Sequence, residues 1–93
     1  MGKGTNIQQP IIEAWEVGER IRQGRIDNDL TISEVCEAVG VTPQAFDKWQ
    51  NGLCLPKLDK LLTLARLYNT TMEDLLVGDD ERSSSRIYGE FVA

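Results

Sequence analysis

The chain has 93 residues, 41% of them hydrophobic, with a net charge of −5 and a pI near 4.6. That length supports one hydrophobic core and leaves no room for a second, and the acidic balance argues against nonspecific binding to nucleic acid, where phosphate neutralisation dominates affinity. Histidine is absent, and the two cysteines, Cys36 and Cys54, have no metal or redox spacing, so no zinc site or other cofactor is expected and a reducing compartment suits the thiols.

Met1 to Gln9 is polar and glycine-bearing. It is expected to be disordered, with no apolar run of signal-peptide or membrane-span length, and the protein is expected to stay in the cytoplasm. A domain over residues 10–78 follows. Pro10 suits a first helical position, and Ile11, Ala14, Trp15, Gly18 and Ile21 recur at intervals of three and four, predicting a helix from about Ile11 to Arg25. Ile11, Ile12 and Trp15 read as core residues of that helix. Gly24 costs about 1 kcal/mol relative to alanine in a helix interior, which close packing or an early helix end would explain. Asp27-Asn28-Asp29 is a turn, since both residue types tolerate left-handed geometry.

Thr31 with Glu34 has the spacing of a capping box, and Val35, Cys36 and Val39 share one face of the helix that follows. Gly40 stops it, because a residue without a Cβ enters the left-handed conformation cheaply. Thr42 then caps a third helix with Pro43 in its first position, where a missing N–H costs nothing. Phe46 and Trp49 mark the buried face, leaving Gln44, Ala45, Asp47 and Lys48 outward. Two short helices joined by a glycine turn make a helix-turn-helix.

After a loop ending at Pro56, Leu58, Leu61, Leu62 and Ala65 form a stripe widened by Leu64, Leu67 and Tyr68, predicting a helix from about Leu58 to Tyr68 with Asn69 at its end. Thr71 and Asp74 start a short fifth helix that stops at Gly78. No strand-like alternation occurs, so the fold class is all-α. Residues 79–93 form an acidic, serine-rich linker and an apolar tail. Its Ile87, Tyr88, Phe91 and Val92 either remain disordered or dock, on Ile11, Ile12 and Trp15 or on a second copy. With Leu76 they are the candidate dimer or partner contacts.

From Val17 to Gly78 the chain resembles the lambda-repressor-like helix-turn-helix family of phage repressors, Cro proteins and XRE-type transcriptional regulators. The resemblance rests on Val17-Gly18-Glu19-Arg20-Ile21-Arg22 with Arg25, Leu30-Thr31, Gly40-Val41-Thr42, Trp49-Gln50-Asn51-Gly52, Pro56, Leu64-Ala65 and Glu73-Asp74-Leu75-Leu76. It implies a compact five-helix domain that binds double-stranded operator DNA as a homodimer, with its third helix in the major groove. Carried onto this sequence, Thr42, Pro43, Gln44, Ala45 and Lys48 face bases or nearby phosphates. Asn51 contacts backbone, and Lys57 and Lys60 add positive charge beside it. Gln44 is suited to bond N6 and N7 of adenine. Family members commonly carry a glutamate at the position of Gln50, a polar residue at that of Ile32 and a leucine at that of Gly24.

The leading expectation is therefore a sequence-specific transcriptional regulator, a repressor in kind. The alternative is a protein-interaction module on the same fold (antirepressor, antitoxin or adaptor), motivated by the acidic balance, Asp47 and the apolar tail. An enzyme is not expected, as the chain has no histidine, no glycine-rich phosphate loop and no strand scaffold.

Overall fold

Among residues 11–78, which the computed structural model describes, five α-helices and no strand follow in order: α1 (Ala14–Asp27), α2 (Ile32–Val39), α3 (Pro43–Gln50), α4 (Leu58–Leu67) and α5 (Met72–Leu76). The N-terminal segment through Pro10 and the 79–93 stretch with Ile87, Tyr88, Phe91 and Val92 lie outside the described residues. Helix α1 packs on α3 and α5, α2 on α3 and α4, and α4 on α5.

The middle of the chain follows its local chemistry. The Glu34 amide donates to Thr31 Oγ1 at 3.0 Å and the Thr31 amide to Glu34 Oε1 at 2.8 Å, so the capping box is complete. Gly40 closes α2 at φ 79°, its N–H donating to the Cys36 carbonyl at 2.8 Å. Asp29 and Asn69 take the left-handed conformation at φ 58° and 59°, the first in the predicted turn and the second beyond α4. Thr71 Oγ1 accepts from the Asp74 amide at 3.0 Å to open α5.

Helix α1 departs from its predicted bounds. It begins at Ala14 rather than Ile11 and runs to Asp27, past Gly24. The residues it buries are Val17, Gly18 and Ile21, whereas Ile11 is 74% exposed and Trp15 60%. Its rotation is set by tertiary contact. Gly18 lies against the last carbonyls of α3, where a Cβ would collide with Trp49 O and Gln50 O. The Trp15 backbone, not its indole, meets Gly52. Gly24 is explained by close packing, because the Tyr68 ring occupies the space a Cβ would fill. The Tyr68 hydroxyl donates to the Ile21 carbonyl at 2.9 Å.

Helix α4 is also rotated relative to expectation. Leu61, Leu64 and Ala65 are buried within it, and Tyr68 just beyond it, while Leu58 is 72% exposed and Leu62 38%. With leucines at 58, 61, 62, 64 and 67, two overlapping stripes satisfy helical spacing. The one reaching Tyr68 meets α1 and goes inward. The core holds Val17, Ile21, Val35, Phe46, Leu61 and Leu64 with no residual exposure beyond 1%.

Candidate nucleic-acid interface

Helix α3 owes its orientation to its only two large apolar side chains. Phe46 is fully buried and Trp49 is 6% exposed, and their rings meet edge to face at 5.9 Å with planes 69° apart. With that face fixed, a period of 3.6 sends Gln44, Asp47, Lys48 and Asn51 outward, and all four are exposed. Thr42 and Pro43 are exposed at the helix start and Ala45 is half-buried. Thr42 Oγ1 accepts from the Ala45 amide at 3.1 Å, which commits that hydroxyl to the cap.

Three ties hold this surface. Arg25 reaches from α1, its Nη1 donating to the Leu30 carbonyl at 3.0 Å and its Nε to Gln50 Oε1 at 3.4 Å. One guanidinium therefore joins the entry of α2 to the end of α3. Asn51 Nδ2 donates to Asp47 Oδ2 at 3.2 Å, which gives that carboxylate a neutral partner on the outer face. Lys60 Nζ donates to the Val39 carbonyl at 3.1 Å, placing positive charge at the C-terminal end of α2, where the helix dipole favours it.

The residues named from sequence are thus brought together unequally. Thr42, Pro43, Gln44, Ala45, Lys48 and Asn51 share α3 and its ends. Lys57 is exposed just before α4, while Lys60 is half-buried and engaged with α2. Leu76 is half-buried against the core on α5, and its proposed companions Ile87, Tyr88, Phe91 and Val92 lie outside the described residues. Sequence reasoning missed a shallow groove of about 260 Å³ lined by Ile32, Pro43, Gln44, Asp47 and Gln50. Its signal was an isoleucine at the first position of α2, off the buried Val35–Cys36–Val39 face. Also unforeseen was the double attachment of Arg25.

Neither cysteine contributes to this surface as a pair, since Cys36 is buried and Cys54 exposed, both as free thiols. Burial pushes the Cys36 thiol above its ordinary value. It pushes the Tyr68 phenol up as well, the nearby Arg25 charge opposing that rise. No helix of the described residues is long and apolar enough to cross a membrane.

A family model described as a helix-turn-helix domain matches residues 16–76. Among curated proteins, the HTH-type transcriptional activator BcrR of Enterococcus faecalis is 28% identical over 65 residues, 70% of this chain but 32% of BcrR. An uncharacterised HTH-type transcriptional regulator of Archaeoglobus fulgidus is 34% identical over 62 residues, 67% of this chain and 89% of its own length. Among solved structures, the P22 c2 repressor in complex with a synthetic operator superposes with a TM-score of 0.65 at 28% identity, covering 77% of this chain and all of that one. The first is named as a transcriptional activator, the second as a transcriptional regulator and the third as a repressor.

Proposed function

Since the chain belongs to the helix-turn-helix domain family, we propose that it is a sequence-specific DNA-binding repressor that lays α3 in the operator major groove. One observation carries this reading. The Gln44 amide and the Lys48 amine stand bare, one turn apart on one face of α3, because Phe46 and Trp49 take the opposite face into the core. Gln44 then pairs with N6 and N7 of an adenine, a pattern unique to the major groove, and Lys48 with a guanine edge or a phosphate. Thr42, Pro43 and Ala45 border the contacted bases, while Asn51 and Lys57 hold phosphates and fix register. Lys60 acts at one remove, by holding the end of α2. The P22 c2 repressor, of the same fold, has been seen with a synthetic operator, which supports the reading.

The protein acts as a homodimer in the cytoplasm, its two α3 helices about 34 Å apart on successive turns of DNA. Leu53, Leu55, Leu58 and Leu62, between 38% and 72% exposed around the start of α4, support self-association. Leu58→Glu should shift sedimentation to the monomer.

The test is titration of the DNA upstream of its own gene at rising salt. Binding should be tight at low salt, and Gln44→Ala should relax base preference at one position. Absence of binding even at low salt would end the proposal. The exposed leucines and the Asp47 carboxylate on α3 favour a second reading, a protein-interaction module. It would replace the first if Gln44→Ala and Lys48→Ala left all function intact while Leu58→Glu abolished it.

A further inference from the structure

Ile32 keeps part of its side chain in solvent where α2 meets α3. It stands at the first position of α2, 38% exposed, beside Pro43 and Gln44 in the groove of about 260 Å³ that Asp47 and Gln50 complete. The groove contains one ionisable side chain, the Asp47 carboxylate, and no cation. A phosphate would be repelled there, and Pro43 has no N–H to offer one. What the walls present instead is two apolar surfaces, Ile32 and the Pro43 ring, bordering the exposed Gln44 amide, while the Gln50 amide is engaged by Arg25.

In the DNA major groove the apolar feature is the 5-methyl of thymine, which lies on the same edge as the adenine N6 and N7 that a glutamine reads. We propose that Ile32 and Pro43 form a receptor for a thymine methyl within one base step of the adenine bonded by Gln44. The inference rests on the DNA-binding reading above and extends its Gln44 contact to a three-residue specificity element. The amide selects adenine, and the apolar pair selects thymine over cytosine and over uracil. Gln50, one of the lining residues, accepts from Arg25 Nε at 3.4 Å, which ties that wall of the groove to α1.

The experiment uses the full chain. Bound duplexes are selected from a random pool, and each thymine of the enriched site is then replaced singly by deoxyuridine, which removes the methyl and nothing else. One thymine per half-site, adjacent to or paired with the adenine lost in Gln44→Ala selections, should weaken binding about fourfold, the equivalent of one buried methyl group. The Ile32→Ser variant should bind thymine and deoxyuridine duplexes equally. Its melting temperature shows that the fold is kept, and the wild-type deoxyuridine series stands without it. Deoxyuridine tolerated at every position would overturn the proposal, as would a thymine preference retained in full by both Ile32→Ser and Pro43→Ala. Enrichment of no sequence at all would instead sink the DNA reading, and this inference with it.

Discussion

Replacing Gly24 with alanine should destabilise the protein, against the helix propensity of the two residues. In an open helix position alanine is favoured by about 0.8–1 kcal/mol. At position 24 the new Cβ would lie 2.5 Å from Cδ2 and 2.7 Å from Cε2 of Tyr68, where carbon atoms need about 3.5 Å or more. The ring must therefore retreat by roughly 1 Å. It has nowhere to go, since Tyr68 is 6% exposed and its hydroxyl is fastened to the Ile21 carbonyl at 2.9 Å. Overpacking costs about 1–3 kcal/mol, and breaking the buried hydrogen bond costs about 1 kcal/mol. Set against the propensity gain, the net loss is about 1–3 kcal/mol, several degrees or more in melting temperature for a domain of this size. In a Tyr68→Leu background, which removes the ring but keeps the site apolar, the same glycine-to-alanine change should turn stabilising by up to about 1 kcal/mol. Urea unfolding of the four proteins closes the double-mutant cycle. Stabilisation by Gly24→Ala with Tyr68 intact, or the same sign in both backgrounds, would refute the reasoning.

Lys60→Met should lower stability by about 1 kcal/mol, since it strips the Val39 carbonyl of its partner and the end of α2 of its charge. Lys57→Ala should leave stability within about 0.5 kcal/mol yet reduce the salt dependence of DNA binding by one contact. A thiol reagent should label Cys54 in the native protein and reach Cys36 only on unfolding, as their exposed and buried positions require; equal rates would mean that the α2 face opens freely. Burial raises the Cys36 thiol and the Tyr68 phenol above their ordinary values, and an acid so raised contributes stability that is complete below its unfolded pKa and lost as pH rises through the folded one. Melting temperature should therefore begin to fall as pH passes the ordinary thiol value of 9.0, and Cys36→Ala should remove the first part of that decline.

What could be read from sequence was whatever acts within about four residues. The Thr31–Glu34 box, the Gly40 stop and the Thr42-Pro43 start are each fixed by neighbours along the chain, so the helix-turn-helix was legible almost to the residue. The outer face of α3 was equally plain, because Phe46 and Trp49 leave it one way to turn. The rotation of α1 was not legible. The periodic set Ile11, Ala14, Trp15, Gly18, Ile21 fits a helix as well as Val17, Gly18, Ile21 does, and the choice is made by Gly18 meeting carbonyls of α3 some thirty positions away. The same holds for the two leucine stripes of α4. Charge was ambiguous for a related reason: a lysine in sequence looks free, and only coordinates show that Lys60 is occupied by a carbonyl of α2.

That distinction eases the tension between an acidic chain and the DNA partner proposed for it. Arg20 donates to the Leu75 and Leu76 carbonyls at 3.3 and 3.0 Å, Arg25 to Leu30 and Gln50, and Lys60 to Val39, so much of the positive charge serves the fold. The same Arg20 bonds draw α5, with Glu73 and Asp74, onto α1, while α3 rests on α1 and α2. On the α3 face Asp47 is paired with the Asn51 amide, leaving Lys48 and Lys57 bare nearby. Each phosphate neutralised contributes about −0.9 to the slope of log affinity against log salt, so two lysines predict a slope of about −2 for each bound chain. Such a protein binds random DNA weakly and depends on base contacts for its affinity. Titrations between low and physiological salt should give that shallow slope on the selected site and little binding to a scrambled one. A slope several times steeper, with equal affinity for both duplexes, would show that charge rather than the Gln44 surface does the binding.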